Sequence, residues 1–154
     1  MTDSLIEFSK FESSFNKNQV TTRASLQDIE YLEKTLSIKI PEEFKLFLHY
    51  YGDLWTPGIL NIIVDNDIDM NDVQQFWPVN EIIDDKQTGF TKLVNEDLIP
   101  FASDCMGNIY AFKTKDIKKQ RSTADVFFFD HDFDEVYHVA NSFTALIEEF
   151  NSLI

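Results

Sequence analysis

Cysteine is almost missing from this chain. Cys105 stands alone among 154 residues, so no internal disulfide can form and the fold must be held by packing. Glycine and proline are scarce as well, four of each, which leaves little material for flexible linkers or low-complexity tracts. No apolar run approaches the ~20 residues needed to span a bilayer, and no Gly-rich phosphate loop occurs. Basic residues number 13 against 27 acidic ones, for a formal net charge of -14. Such a chain repels nucleic acid and anionic membrane surfaces, and its expected partners are neutral or basic. The opening MTDSLIEF places acids where a secretory signal would carry a basic region followed by a long apolar one; the cytoplasm is therefore the expected compartment.

What the chain does have is phenylalanine, fifteen of them. At this length folding hides roughly 70% of the surface an unfolded chain exposes, so a sizeable core is available and a single domain over residues 1–154 is the simplest reading. The best-marked element is IKIPEEFKLFLHYYG at 38–52. Pro41 suits the first helical position, where its missing N–H has no partner to lose. Glu42 and Glu43 complement the helix N-terminus, and Gly52 comes where the chain leaving the helix needs positive φ. Phe44, Phe47, Leu48 and Tyr51 fall at i, i+3, i+4 and i+7, one apolar stripe assigned to core packing. Residues 4–16 carry Leu5, Phe8, Phe11 and Phe15 at helical spacing, and Ser25 caps a further helix with Leu26, Ile29, Leu32 and Leu36 on one face. The latter forms a helical hairpin with the 38–52 element across Ile38–Ile40.

After Gly52 the pattern changes. ILNIIV at 59–64 is β-branched and short, and reads as a strand. The acidic run DNDIDMND at 65–72 precedes a short helix around Val73, Phe76 and Trp77 that stops at Pro78. A small helix over Glu81–Lys86 and a loop at Gly89 follow. LIPFASDCMGNIYAF gives two strands about a turn at Asp104–Asn108, with Gly107 free to turn left-handed. DVFFFD at 125–130 and EVYHVA at 135–140 continue as strands of an antiparallel sheet. Asn141 and Ser142 cap a last helix carrying Phe143, Leu146, Ile147 and Phe150. Lys113, Lys115, Lys118, Lys119 and Arg121 form a basic stretch without interleaved aromatics, expected as a long solvated connection between strands and not a nucleic-acid surface.

Three constellations could carry chemistry. Asp65, Asp67, Asp69 and Asp72 begin with the alternation of a calcium loop, but such a loop needs Gly at its sixth place and Glu at its twelfth, where this chain has Met70 and Phe76. A solvated acidic loop, or an anionic surface for a basic partner, fits better. DHDFDE at 130–135 sets His131 among carboxylates, which can bind metal or move protons, yet between two strands these are ordinary turn residues. Lone Cys105 lacks any local nucleophile signature. The expectation is no catalytic residue, no metal and no cofactor.

LQDIEYLEKTLSIKIPEEFKLFLHYYG, LIPFASDCMGNIYAF, DVFFFDHD and VANSFTALIEEF, taken in that order, resemble the SUKH superfamily, most closely the branch that includes the yeast cell-wall-synthesis regulators. The resemblance covers about residues 25–152 and leaves 1–24 as an N-terminal helical extension. Cys105 departs from it, standing where a small residue, usually Gly, is expected. The resemblance implies an α+β fold, a mostly antiparallel sheet with helices packed against it, an N-terminal helical hairpin and a C-terminal helix. It also implies a role, since bacterial members typically act as immunity proteins that bind a toxin, often a nuclease. On that reading the partner is a cognate protein toxin with a basic surface. Asp65, Asp67, Asp69, Asp72 and Trp77 are the candidate partner-binding residues. A regulatory or scaffold module is the alternative reading, and a metal-dependent enzyme built on His131 a third.

Overall fold

The computed structural model describes residues 2–16, 21–117 and 123–154. Helices α1 (Thr2–Phe15), α2 (Leu26–Leu36), α3 (Glu42–Tyr50) and α4 (Gly58–Asp65) come first, and strand β1 (Gln75–Phe76) follows. Next are α5 (Val79–Thr88), α6 (Phe90–Val94), β2 (Leu98–Ser103), β3 (Ile109–Lys113) and the helical turn α7 (Thr114–Ile117). The chain closes with β4 (Val126–Asp130), β5 (Glu135–Ala140) and α8 (Phe143–Asn151). The strands form one five-stranded antiparallel sheet in sequence order, β1-β2-β3-β4-β5. The fold is α+β, as expected. Among the described residues no helix is long and apolar enough to cross a membrane.

Local rules explain most of the element ends. Ser25 caps α2 in a full capping box with Asp28, whose carboxylate accepts from the Ser25 N–H at 2.9 Å, so two otherwise unpaired N–H groups are satisfied. Ser142 caps α8 with a single bond, accepting from Ala145 N–H at 3.0 Å. Pro41 sits one place earlier than the sequence suggested, as the cap residue with ψ 143, and α3 begins at Glu42. Gly52 has φ +73 and Gly107 φ +82, the left-handed conformation both were expected to supply.

Three assignments need correcting. Residues 59–64 are helical, not extended: Ile59 and Ile63, four apart, are the buried residues of α4. Burial of one helical face overrides the β-branched preference there, because propensity is worth a few tenths of a kcal/mol per residue and a buried Ile about 1.5–3. The stretch around Phe76 is a strand, not a helix. Phe76 pairs with Ala102 and Gln75 with Ser103, and Pro78 opens α5 instead of closing a helix. The small helix at 81–86 is longer, Val79–Thr88, and Gly89 is its junction with α6 rather than a loop.

The core lies between one face of the sheet and α1, α3 and α8. Phe143 is its centre, with ring centroids 5.0 Å from Phe47, 5.1 Å from Phe44 and 5.4 Å from Phe101. Phe44, Phe47 and Leu48 are buried, as the stripe on 38–52 required. Helix α1 belongs to this core: Phe8 and Phe11 are fully buried, and Ser4 and Glu7 bond to Thr144 and Asn151 of α8. Helix α2 packs chiefly against α5 and only secondarily against α3, so the N-terminal hairpin is a looser pair than its two apolar faces suggested. Of the basic stretch, Lys113 ends β3 with its ammonium 4.2 Å from the Phe127 ring centroid, and Lys115 lies in α7; Lys118, Lys119 and Arg121 fall outside the described residues.

Candidate docking site at the loop end of the sheet

Strand order decides which loops meet. With β2 to β5 antiparallel neighbours in sequence order, the turns at 104–108 and 131–134 leave the same end of the sheet. Gln75 pairs with Ser103 at that end too, so residues 66–74 enter β1 beside them.

Each loop is held by its own polar groups and by its neighbours. The Asp104 Oδ1 accepts from the Met106 N–H at 2.9 Å and the Asn108 N–H at 2.8 Å. Burial pushes its carboxyl up, with those hydrogen bonds opposing. Asn108 Oδ1 accepts from the His131 N–H at 3.0 Å, and His131 Nε2 donates to the Met106 carbonyl at 2.8 Å; the two turns are thereby stitched together. Asp130 Oδ1 accepts from Asp132 and Phe133 N–H at 3.0 and 3.4 Å, and Asp134 closes the second turn with φ 50. The 66–74 loop is tied to the first turn and to strands β3 and β5. Asp72 Oδ2 accepts from Cys105 N–H at 3.2 Å and Gln74 Nε2 at 3.0 Å, Tyr110 donates its hydroxyl to the Asp72 carbonyl at 3.0 Å, and Asn71 Nδ2 donates to the Tyr137 hydroxyl at 3.0 Å.

This geometry sorts the residues named from the sequence. Asp65, Asp67 and Asp69 are exposed, whereas Asp72 is 5% exposed and acts as an internal strut that shapes the loop. Trp77 is half-buried against the cluster of Leu98, Ile109, Ala111 and Phe129, with Nε1 donating to Ser103 Oγ at 3.2 Å. That is the sheet face opposite the core, because Gln75 and Ser103 pair there while Phe76 points inward. The sequence reading took the second turn as ordinary turn chemistry and named none of its residues for partner binding. Asp132, Asp134 and Glu135 are exposed there, next to Phe133 at 74% and, on the adjoining elements, Met106 at 64% and Tyr137 at 39% exposure. A signal was available, since a phenylalanine at the tip of an otherwise polar turn has no core to enter. Residues 64–76, 103–108 and 129–138 contain no lysine or arginine.

A model of the SMI1 / KNR4 family (SUKH-1) matches residues 23–149. The chain belongs to this family. The match begins after α1, so this SUKH domain builds its core partly from a helix outside the matched residues. A comparison with curated proteins finds no match.

The chemistry available at this end of the SUKH domain is that of a charged surface. Among the described residues no three His, Cys, Asp or Glu side chains are grouped to hold a metal ion. Cys105 is exposed, but desolvation of its sulfur first, and the Asp72 carboxylate second, push its thiol up to about 11. It is a neutral thiol at physiological pH, and nucleophilicity requires the thiolate.

His131 gives the site a pH dependence. Its bond to the Met106 carbonyl, assisted by Asp132 at 3.2 Å, raises its pKa above 6.5. A raised folded-state pKa contributes stability that is fully present below the unfolded value and is lost as pH rises through the folded one. Wild type should therefore lose stability relative to a His131→Gln variant as pH is raised from 5.5 to 8.5. Urea midpoints of both proteins across that range provide the check, and parallel curves would contradict it.

Proposed function

We propose that this protein is an immunity protein that binds a cognate toxin, a nuclease with a basic surface, and neutralises it without doing chemistry of its own. The carrying observation is the loop end of the sheet: the 131–134 turn and the stretch that leads into β1 both carry exposed carboxylates, and neither contains lysine or arginine. Such a surface complements the cationic groove with which a nuclease holds its substrate, and occupying that groove excludes nucleic acid. Membership of the SUKH family supports the role. Asp65, Asp67 and Asp69 form part of the docking face, Asp72 holds the loop that presents them, and Trp77 extends the face onto the outer side of the sheet.

The test is co-expression with the product of the neighbouring gene. That product should be toxic alone and harmless alongside this protein; toxicity that persists in its presence refutes the reading. The charge assignment has its own check. Replacing Asp65, Asp67 and Asp69 together by Asn should slow association about tenfold at low salt and flatten its salt dependence, with dissociation little changed, because rim charges steer encounter more than they hold the complex.

A further inference from the structure

We infer that Phe133 is the apolar anchor of this docking surface, inserting into a hollow between basic side chains on the partner protein. The inference rests on the reading above and adds what that reading lacks, a source of residence time. Acidic rim residues accelerate encounter, but lifetime comes from a few large side chains that become fully desolvated.

Single exposed apolar residues are ordinary on protein surfaces. The setting of Phe133 is not. It is 74% exposed on the 131–134 turn, with Met106 at 64% on the adjoining turn and Tyr137 at 39% on the strand that follows. The turn needs no apolar residue for its own sake: its shape comes from the Asp130 carboxylate, the left-handed Asp134 and the two His131 bonds to the neighbouring turn. Those same contacts fix the backbone that presents the ring, so little conformational freedom remains to be lost on binding.

Charge identifies the occupant. Asp132 and Asp134 flank the ring in sequence, Glu135 follows, and the end of α4 and the 66–74 loop add Asp65, Asp67 and Asp69. A second copy of this chain would bring the same negative charge against itself, and nucleic acid or an anionic lipid surface would be repelled. A basic protein surface with an apolar recess is the partner that both features fit, and a phenylalanine ring also meets lysine or arginine favourably across its face.

Surface plasmon resonance on the full-length protein tests this, with a catalytically inactive form of the neighbouring gene's product as the probe. Phe133→Ser should raise the dissociation rate tenfold or more while changing the association rate by less than twofold, the reverse of the pattern expected for the triple Asn variant. Phe133→Gln serves as a second polar variant, so a misfolded serine variant leaves the test intact. If the wild type binds and both Phe133 variants dissociate as slowly as it does, the anchor is overturned and the immunity reading stands. If the wild type neither binds nor protects, both fall together.

Discussion

Replacing Glu43 by alanine is expected to lower the unfolding free energy by about 3–4 kcal/mol, because it would leave buried hydrogen-bonding groups at the start of α8 without a partner. The Glu43 carboxylate is buried and reaches across the core to the far end of the chain. One oxygen accepts from Phe143 N–H at 2.8 Å, from Thr144 N–H at 3.4 Å and from the Thr123 hydroxyl at 3.2 Å; the other accepts from the Thr144 hydroxyl at 2.7 Å. The first turn of a helix has four N–H groups without intrahelical acceptors. Ser142 satisfies that of Ala145, and Glu43 takes those of Phe143 and Thr144. A carboxylate there also interacts favourably with the positive end of the helix. Glu43→Gln keeps one acceptor oxygen and should lose about half as much, on the same scale of net hydrogen-bond energies. Urea unfolding measures both, and an unchanged slope would place the effect in the native state. An alanine variant within 1 kcal/mol of wild type would mean that water replaces the carboxylate without cost, contrary to the burial argument.

Glu43 also marks how far a linear reading goes. As a first-turn acid of α3 its type and position follow from local electrostatics, and that much was legible. Its partners lie 80 to 101 residues away, and no short-range pattern encodes them. The same division runs through the fold. The Ser25 and Ser142 caps, the glycines with positive φ, the two hairpins and the buried stripe of α3 follow rules acting over a few residues, so they were readable. Helix α4 was not, because what decides its conformation is the burial of Ile59 and Ile63 against elements distant in sequence. Strand β1 spans only Gln75 and Phe76, too short to show a period of two, and its pairing with β2 defines it.

The candidate site divides likewise. Its acidic loop stood out as composition, but its junction with the 131–134 turn is a product of strand order. DHDFDE looked like plain turn chemistry because turns and docking loops use the same residues. Only when the turn is placed beside Met106, and in the same network as Asp72, do its carboxylates and Phe133 become a surface. Asp72 shows the opposite error of a linear reading: the acidic run grouped it with Asp65, Asp67 and Asp69, whereas the fold buries it and leaves them exposed.

Gly52→Ala is expected to destabilise the protein by about 4 kcal/mol or more, combining the left-handed backbone cost of about 1–2 kcal/mol for a residue with Cβ and a clash that cannot relax locally. Gly52 has φ +73, and a Cβ placed on it would fall into the Thr22 carbonyl group and within 2.9 Å of Arg23 Cα. Both neighbours are backbone, so no rotamer change relieves the overlap. The 21–24 segment would have to move, and it is well attached: Thr22 N–H donates to Asp53 Oδ1 at 2.6 Å, Ala24 N–H to the Leu48 carbonyl at 2.9 Å, and His49 Nδ1 to the Ala24 carbonyl at 3.0 Å. Shifting that segment disturbs the entry to α2 and its Ser25 capping box, so a strain at one glycine spreads through two helices. Gly58 supplies the internal control. A Cβ there meets nothing within 4 Å, and alanine at this helical position should be neutral or stabilising by up to about 1 kcal/mol. Urea midpoints for the two variants should therefore move in opposite directions, or differ by the equivalent of about 4 kcal/mol or more. Equal midpoints would mean that the 21–24 segment does not rest against Gly52.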